Sequence, residues 1–200
     1  MNEGYMDILR SIASSEPTPG GGSVAALSLA HAHSLSLMVA RLTLAKEKWL
    51  EGHDAAMASL ELSEPGLEEA ILLAISDSKA FESVMSAYRL PKETEDEEKQ
   101  RSEAIRNATI GAALAPLNTA SSAQNLLSNL EKQSTSCNPN ALTDLASASE
   151  MALSAAKIAS LNVRINLEYI EGEDVDSLSS KINKAVEQSI KFSKYCSIDG

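Results

Sequence analysis

The sequence predicts one all-α domain over residues 1–200, a helical bundle of five to seven helices, some of them long. Two observations carry that expectation. Aromatic residues make up only 4% of the chain while Ala, Ser and Leu dominate. Such a balance suits closely packed helices and not strands, which favour Val, Ile, Thr and aromatic side chains. Apolar residues also recur at alternating spacings of three and four, which places them on one helical face. No strand-like alternation, internal repeat or low-complexity segment interrupts that pattern.

Taken in order, residues 5–14 read as a short helix with Tyr5, Ile8, Leu9 and Ile12 on one side. The run from Ser15 to Gly22, with Pro17, Pro19 and three glycines, breaks it. Ser23 suits an N-cap or first-turn position of a long helix reaching about Lys46. Its segment from Val24 to Ala40 carries no formal charge. It is too short for a membrane span and is diluted by Ser28, His31, His33, Ser34 and Ser36, so a buried core helix is expected. A broken helical stretch over 50–62 precedes Ser63-Glu64-Pro65-Gly66, and a new helix runs from Leu67 to Leu90, where Pro91 stops it. Thr94 and Glu97 form a capping-box pattern for a helix to about Glu131, kinked at Pro116. After the turn Cys137–Asn140, Asn140 can cap a helix to about Ile170. Gly172 ends that one, and Asp174 or Asp176 starts the last, which closes near Cys196.

The net charge of −11 argues against nucleic acid or an anionic membrane as partner. Cys137 and Cys196 form no C-x-x-C pair, and the N-terminus lacks a basic segment followed by an apolar run. Both suit the reducing cytoplasm.

Three features suggest chemistry. The turn Gly20-Gly21-Gly22-Ser23 frees the backbone for positive φ and close approach, and the following helix aims N–H groups and a positive dipole end at that space. A carboxylate or oxyanion fits there; a plain connector with an ordinary cap is the alternative. Asp77 falls inside the apolar stripe Ala70, Leu73, Ala74, Ala80, Phe81, Val84, Ala87. Desolvation raises the pKa of such a carboxyl, making it a candidate general base or cation stabiliser. The competing role is structural, pairing with an arginine or capping a neighbouring helix. On the third, Leu145, Ala148, Ala152, Ala155, Ala159, Asn162, Asn166 and Tyr169 form one seam. Its two amides need partners, from a ligand, a neighbouring backbone or the same seam of a second subunit. His31 and His33, two residues apart, point to different sides of a helix and form no metal pair; His31 shares the stripe of Val24, Leu27 and Leu35 and reads as a core or interface residue. Arg41 is the only cation between Ser11 and Ala45 and can pair with a buried carboxylate or an anionic substrate.

These motifs resemble a known family. Pro19-Gly20-Gly21-Gly22-Ser23-Val24-Ala25-Ala26, then Met38 to Thr43, look like the start of the formiminotransferase-cyclodeaminase C-terminal domain, whose stand-alone relatives include methenyltetrahydrofolate cyclohydrolases. Asp77 to Phe81, Leu90-Pro91-Lys92, Arg101, Ala115-Pro116-Leu117, Asn138, Asp144-Leu145 and Asn162 to Asn166 follow in the family's order, spanning about residues 5–195. The two histidines stand where small residues would be expected, so no role passes to them.

The resemblance implies an all-helical homodimer acting on a tetrahydrofolate substrate, with no metal and no redox cofactor. Either 5,10-methenyltetrahydrofolate is hydrolysed to 10-formyltetrahydrofolate, or 5-formiminotetrahydrofolate is cyclised with loss of ammonia. The absence of an attached formiminotransferase domain tilts the expectation toward the cyclohydrolase, although a separate formiminotransferase could supply the other substrate. In this reading Asp77 is the base and counter-charge. Lys92 protonates leaving ammonia or holds a folate carboxylate, and Asn162 and Asn166 bind the pterin edge. The turn Gly20–Ser23 and Arg41 anchor an anionic or polar part, with Asn138 and Asp144 as further binding residues. The rival is a non-catalytic helical dimer that binds folate or a partner helix through the Ala/Asn seam.

Overall fold

In a computed structural model, which describes residues 3–196, the chain forms six α-helices: α1 (Glu3–Ile12), α2 (Gly21–Leu44), α3 (His53–Tyr88), α4 (Glu95–Ser134), α5 (Leu142–Leu167) and α6 (Glu173–Ser193). Short 3₁₀ turns lie at Glu47–Gly52, Pro139–Ala141 and Lys194–Cys196, and no strand occurs among the described residues. The outermost residues of the domain expected over 1–200 fall outside the described ones.

Alternating apolar and polar faces fix the packing. Helix α2 lies against α3 and α5, and α4 closes the ring by packing on the same two helices. Helix α6 packs on α4 and α5. The core is built largely of alanine, with Leu29, Leu126, Leu127, Leu130 and Leu145 filling the wider gaps. The seam of α5 from Leu145 through Ala148, Ala152, Ala155 and Ala159 is buried, against α2 and α4 of the same chain. It is therefore unavailable as a surface for a second subunit or a partner helix, which removes the interface of the non-catalytic alternative.

Tertiary packing overrides two local signals. The break expected at 63–66 does not occur, and α3 runs unbroken for 36 residues through Pro65. Ser63 and Gly66 are both buried against α2, so packing on either side of the proline offsets its missing N–H. Any Cβ at Gly66 would collide with the ring of His33, so glycine here is what lets the two helices meet over an imidazole. The histidine in the core is thus His33 and not His31. His31 is exposed on α2, where its Nδ1 hydrogen-bonds the Leu27 carbonyl at 2.7 Å and its ring meets Tyr5 edge-on.

Burial holds the His33 pKa down to about 4, and both ring nitrogens are sealed away without a hydrogen-bond partner. The folded pKa lies below the unfolded value of 6.5, so the unfolded chain takes up the proton first as pH falls. Stability is therefore complete above 6.5 and is lost toward pH 4, by roughly 3 kcal/mol. Denaturant titrations at neutral pH and near pH 4.5 are expected to show a smaller pH-dependent loss for His33→Leu than for the natural chain. Equal losses would refute this account.

Candidate active site

The site is built where the core stripe of α3 runs out. Ala70, Leu73 and Ala74 are buried; one turn later Asp77 is only half-buried, and Phe81 and Val84 follow it on the same face. Facing Asp77 is the first turn of α2. Ser23 lies inside that turn and is not the cap, which is Gly20 in extended conformation. The Ser23 hydroxyl lies 2.9 Å from Asp77 Oδ2, 3.1 Å from the Ala74 carbonyl and 3.1 Å from the Ser78 hydroxyl. The backbone N–H of Ser23 also donates to the Asp77 carboxylate. An anion from α3 thus sits at the positive end of α2, satisfying one of the donors that a helix start leaves open.

The glycines serve this contact and not a turn of unusual φ. None of Gly20, Gly21 and Gly22 has positive φ; among the described residues only Gly172 does. A Cβ on Gly22 would fall on the Asp77 carboxylate itself. Close approach is the reason for glycine at that position. Burial raises the Asp77 pKa above the ordinary carboxylate value of 3.8, and the two Ser23 hydrogen bonds oppose the rise.

A cavity of about 250 Å³ opens beside this pair, walled by Thr18, the three glycines, Asp77, Phe81, Ala112, Asn162 and Asn166. Asn162 donates its amide N–H to the Ile158 carbonyl at 2.9 Å, and Asn166 donates to Ala112 of α4 at 3.0 Å. Past Asn166 and Val84 the cavity continues into an open cleft of about 800 Å³ bearing Tyr88, Lys99, Arg106 and Tyr169. Arg106 is held by two bonds to Asp174, at 2.8 and 3.0 Å, and one to the Glu171 carbonyl.

Four residues named from the sequence lie elsewhere. Eighteen residues of α2 separate Ser23 from Arg41, about 27 Å of helix. There Arg41 pairs with Glu64 at 3.1 Å on the exposed surface, and not with a buried carboxylate. Asn138 caps the 3₁₀ turn at 139–141 by accepting from the Asn140 N–H, and its own N–H donates to Thr43 Oγ1 at 3.0 Å. The side-chain cap thus belongs to the 3₁₀ turn and comes from Asn138, while α5, which Asn140 was expected to cap, starts after Ala141 with no side-chain cap bond. Asp144 sits in the first turn of α5, where it suits the helix dipole, about 27 Å of helix from Asn162. These three residues occupy the opposite end of the bundle. Lys92 is exposed between α3 and α4 and lines neither cavity.

A carboxylate anchored at a helix start, beside two fixed amides in one cavity, can be compared with known proteins. The family model for formiminotransferase-cyclodeaminase matches residues 5–188. The chain belongs to the formiminotransferase-cyclodeaminase family.

Within this family, a methenyltetrahydrofolate cyclohydrolase from Methylorubrum extorquens is 35% identical, over 85% of this chain and 82% of its own. The formimidoyltransferase-cyclodeaminase of Gallus gallus is 30% identical over 87% of this chain, which spans only 32% of that longer relative. The crystal structure of a formiminotetrahydrofolate cyclodeaminase from Thermotoga maritima superposes with a TM-score of 0.75 at 26% identity, covering 97% of this chain and 96% of the other. Sequence reasoning missed Thr18, Ala112 and the cleft residues Lys99 and Arg106. Only Pro116 held a signal for Ala112, four residues before it, and the cleft residues carried none because it forms between helices distant in sequence.

Proposed function

We propose that the chain acts on the carbon bridging N5 and N10 of tetrahydrofolate, by hydrolysing 5,10-methenyltetrahydrofolate to 10-formyltetrahydrofolate. The observation that supports this most is Asp77, a half-buried carboxylate at the head of α2 with Asn162 and Asn166 in the same cavity. The methenyl group carries positive charge, and water must lose a proton as it attacks. A desolvated carboxylate serves both needs, as counter-charge and as base. Cyclisation of 5-formiminotetrahydrofolate ends in the same cation, formed as ammonia leaves, and the same residues suit it. The greater identity and mutual coverage with the cyclohydrolase favour hydrolysis. Neither reaction calls for a metal or redox cofactor.

In this reading the bicyclic ring enters the inner cavity and the tail runs along the cleft toward Lys99, which takes over the anchoring role once given to Arg41. Lys92, Asn138 and Asp144 have no part in it. We also read the chain as a cytoplasmic homodimer. Supporting this, Tyr5, Ile8, Leu9, Val24, Leu27 and Ile71 line an open apolar groove of about 560 Å³ between α1, α2 and α3.

Purified protein is expected to accelerate the loss of near-ultraviolet absorbance of 5,10-methenyltetrahydrofolate above the uncatalysed rate. If it does not, and the same absorbance fails to appear from 5-formiminotetrahydrofolate, the enzymatic reading is wrong.

A further inference from the structure

Asn166 is held by a carbonyl that has lost the backbone N–H which normally engages it in an α-helix. Within a helix the C=O of residue 112 accepts the N–H of residue 116. Here residue 116 is proline, which has no N–H to give. Helix α4 nonetheless continues to Ser134, with Pro116 buried inside it. The carbonyl released, that of Ala112, is the one that Asn166 Nδ2 reaches at 3.0 Å from α5. Both residues line the inner cavity.

We propose that Pro116 is a positioning residue of the site: by withholding an N–H from Ala112 it leaves that carbonyl to orient the Asn166 amide. A carbonyl can only accept, so the amide must turn its NH₂ to Ala112, and Oδ1 becomes the end left for a ligand. One turn earlier, Asn162 is set the same way by the Ile158 carbonyl. The cavity therefore offers two acceptor oxygens along α5, a pattern that selects a ligand edge carrying N–H donors. If the proposed folate reading holds, that edge belongs to the pterin.

The test restores the N–H with Pro116→Ala, and with Pro116→Val, closer in volume, should alanine leave a hole. Two readouts are needed. In the unliganded protein, exchange of the Asn166 side-chain N–H, followed by NMR, is expected to speed up because the Ala112 carbonyl is then shared with the new N–H and holds the amide less tightly. The melting temperature should hold or rise, since a proline leaves a helix interior. With substrate, KM is expected to rise about tenfold with kcat little changed, as for one lost neutral hydrogen bond. In an Asn166→Ala background the proline change should add nothing further. Unchanged exchange, or a KM effect that simply adds to that of Asn166→Ala, overturns the proposal. Faster exchange in a protein that binds no folate would uphold Pro116 and sink the folate reading alone.

Discussion

Asp77→Asn is expected to lower turnover of 5,10-methenyltetrahydrofolate roughly 10²- to 10⁴-fold in a protein that stays folded. The amide keeps the shape of the carboxylate and can still accept one bond from Ser23, so the first turn of α2 keeps a partner. It cannot accept a proton or carry the charge that faces a cation. Because burial raises the Asp77 pKa, ionisation at neutral pH works against folding, and the neutral amide should melt at an equal or higher temperature. In the natural chain the acid limb of the pH–rate profile should lie above the ordinary carboxylate range. Ser23→Ala removes a bond that favours the charged form and should move that limb higher still. Stopped-assay rates across pH, with melting curves alongside, decide the matter; near-normal turnover for Asp77→Asn would remove Asp77 from the mechanism.

The second large effect is expected at Gly22. On an exposed helix, alanine in place of glycine stabilises by about 1 kcal/mol. Here the added Cβ would occupy the position of the Asp77 carboxylate. The carboxylate must then swing away, losing both Ser23 donors and its place beside the cavity. Gly22→Ala should therefore approach the turnover of Asp77→Asn with little loss of helix content by circular dichroism. In an Asp77→Asn background it should cost little more activity. Independent, multiplying losses would mean that Gly22 acts through something other than Asp77.

Much of this was legible from residue order, and the exceptions share a cause. The bundle, the capping box at Thr94, and the odd placement of Asp77 and the two asparagines all rest on local signals. Gly172, expected to end α5, instead caps α6, because α5 already stops at Leu167. Pro65 was misread because propensity cannot weigh the buried Ser63 and Gly66 beside it. The burial of His33 went unread, and the core alternative for His31 fails, because α2 is apolar nearly all round and only its neighbours decide which stripe faces inward. Arg41 was grouped with the site as a lone cation and Asn138 and Asp144 through the resemblance, whereas helix length puts all three at the other end. The glycines were noticed for their conformational freedom, but the feature that matters is the missing Cβ on Gly22, which becomes visible only with Asp77 opposite.

The alanine seam of α5 has a bearing on how such a chain can diverge. Ala152, Ala155 and Ala159 touch nothing but neighbouring helices, yet they set the spacing of α5 from α2 and α4 just before the seam gives way to Asn162 and Asn166. A larger side chain at any of them would wedge the helices apart and shift the amides relative to Asp77. The geometry of the reaction therefore depends on residues down the seam that have no chemistry of their own. Drift in size is permitted instead on the exposed backs of the same helices.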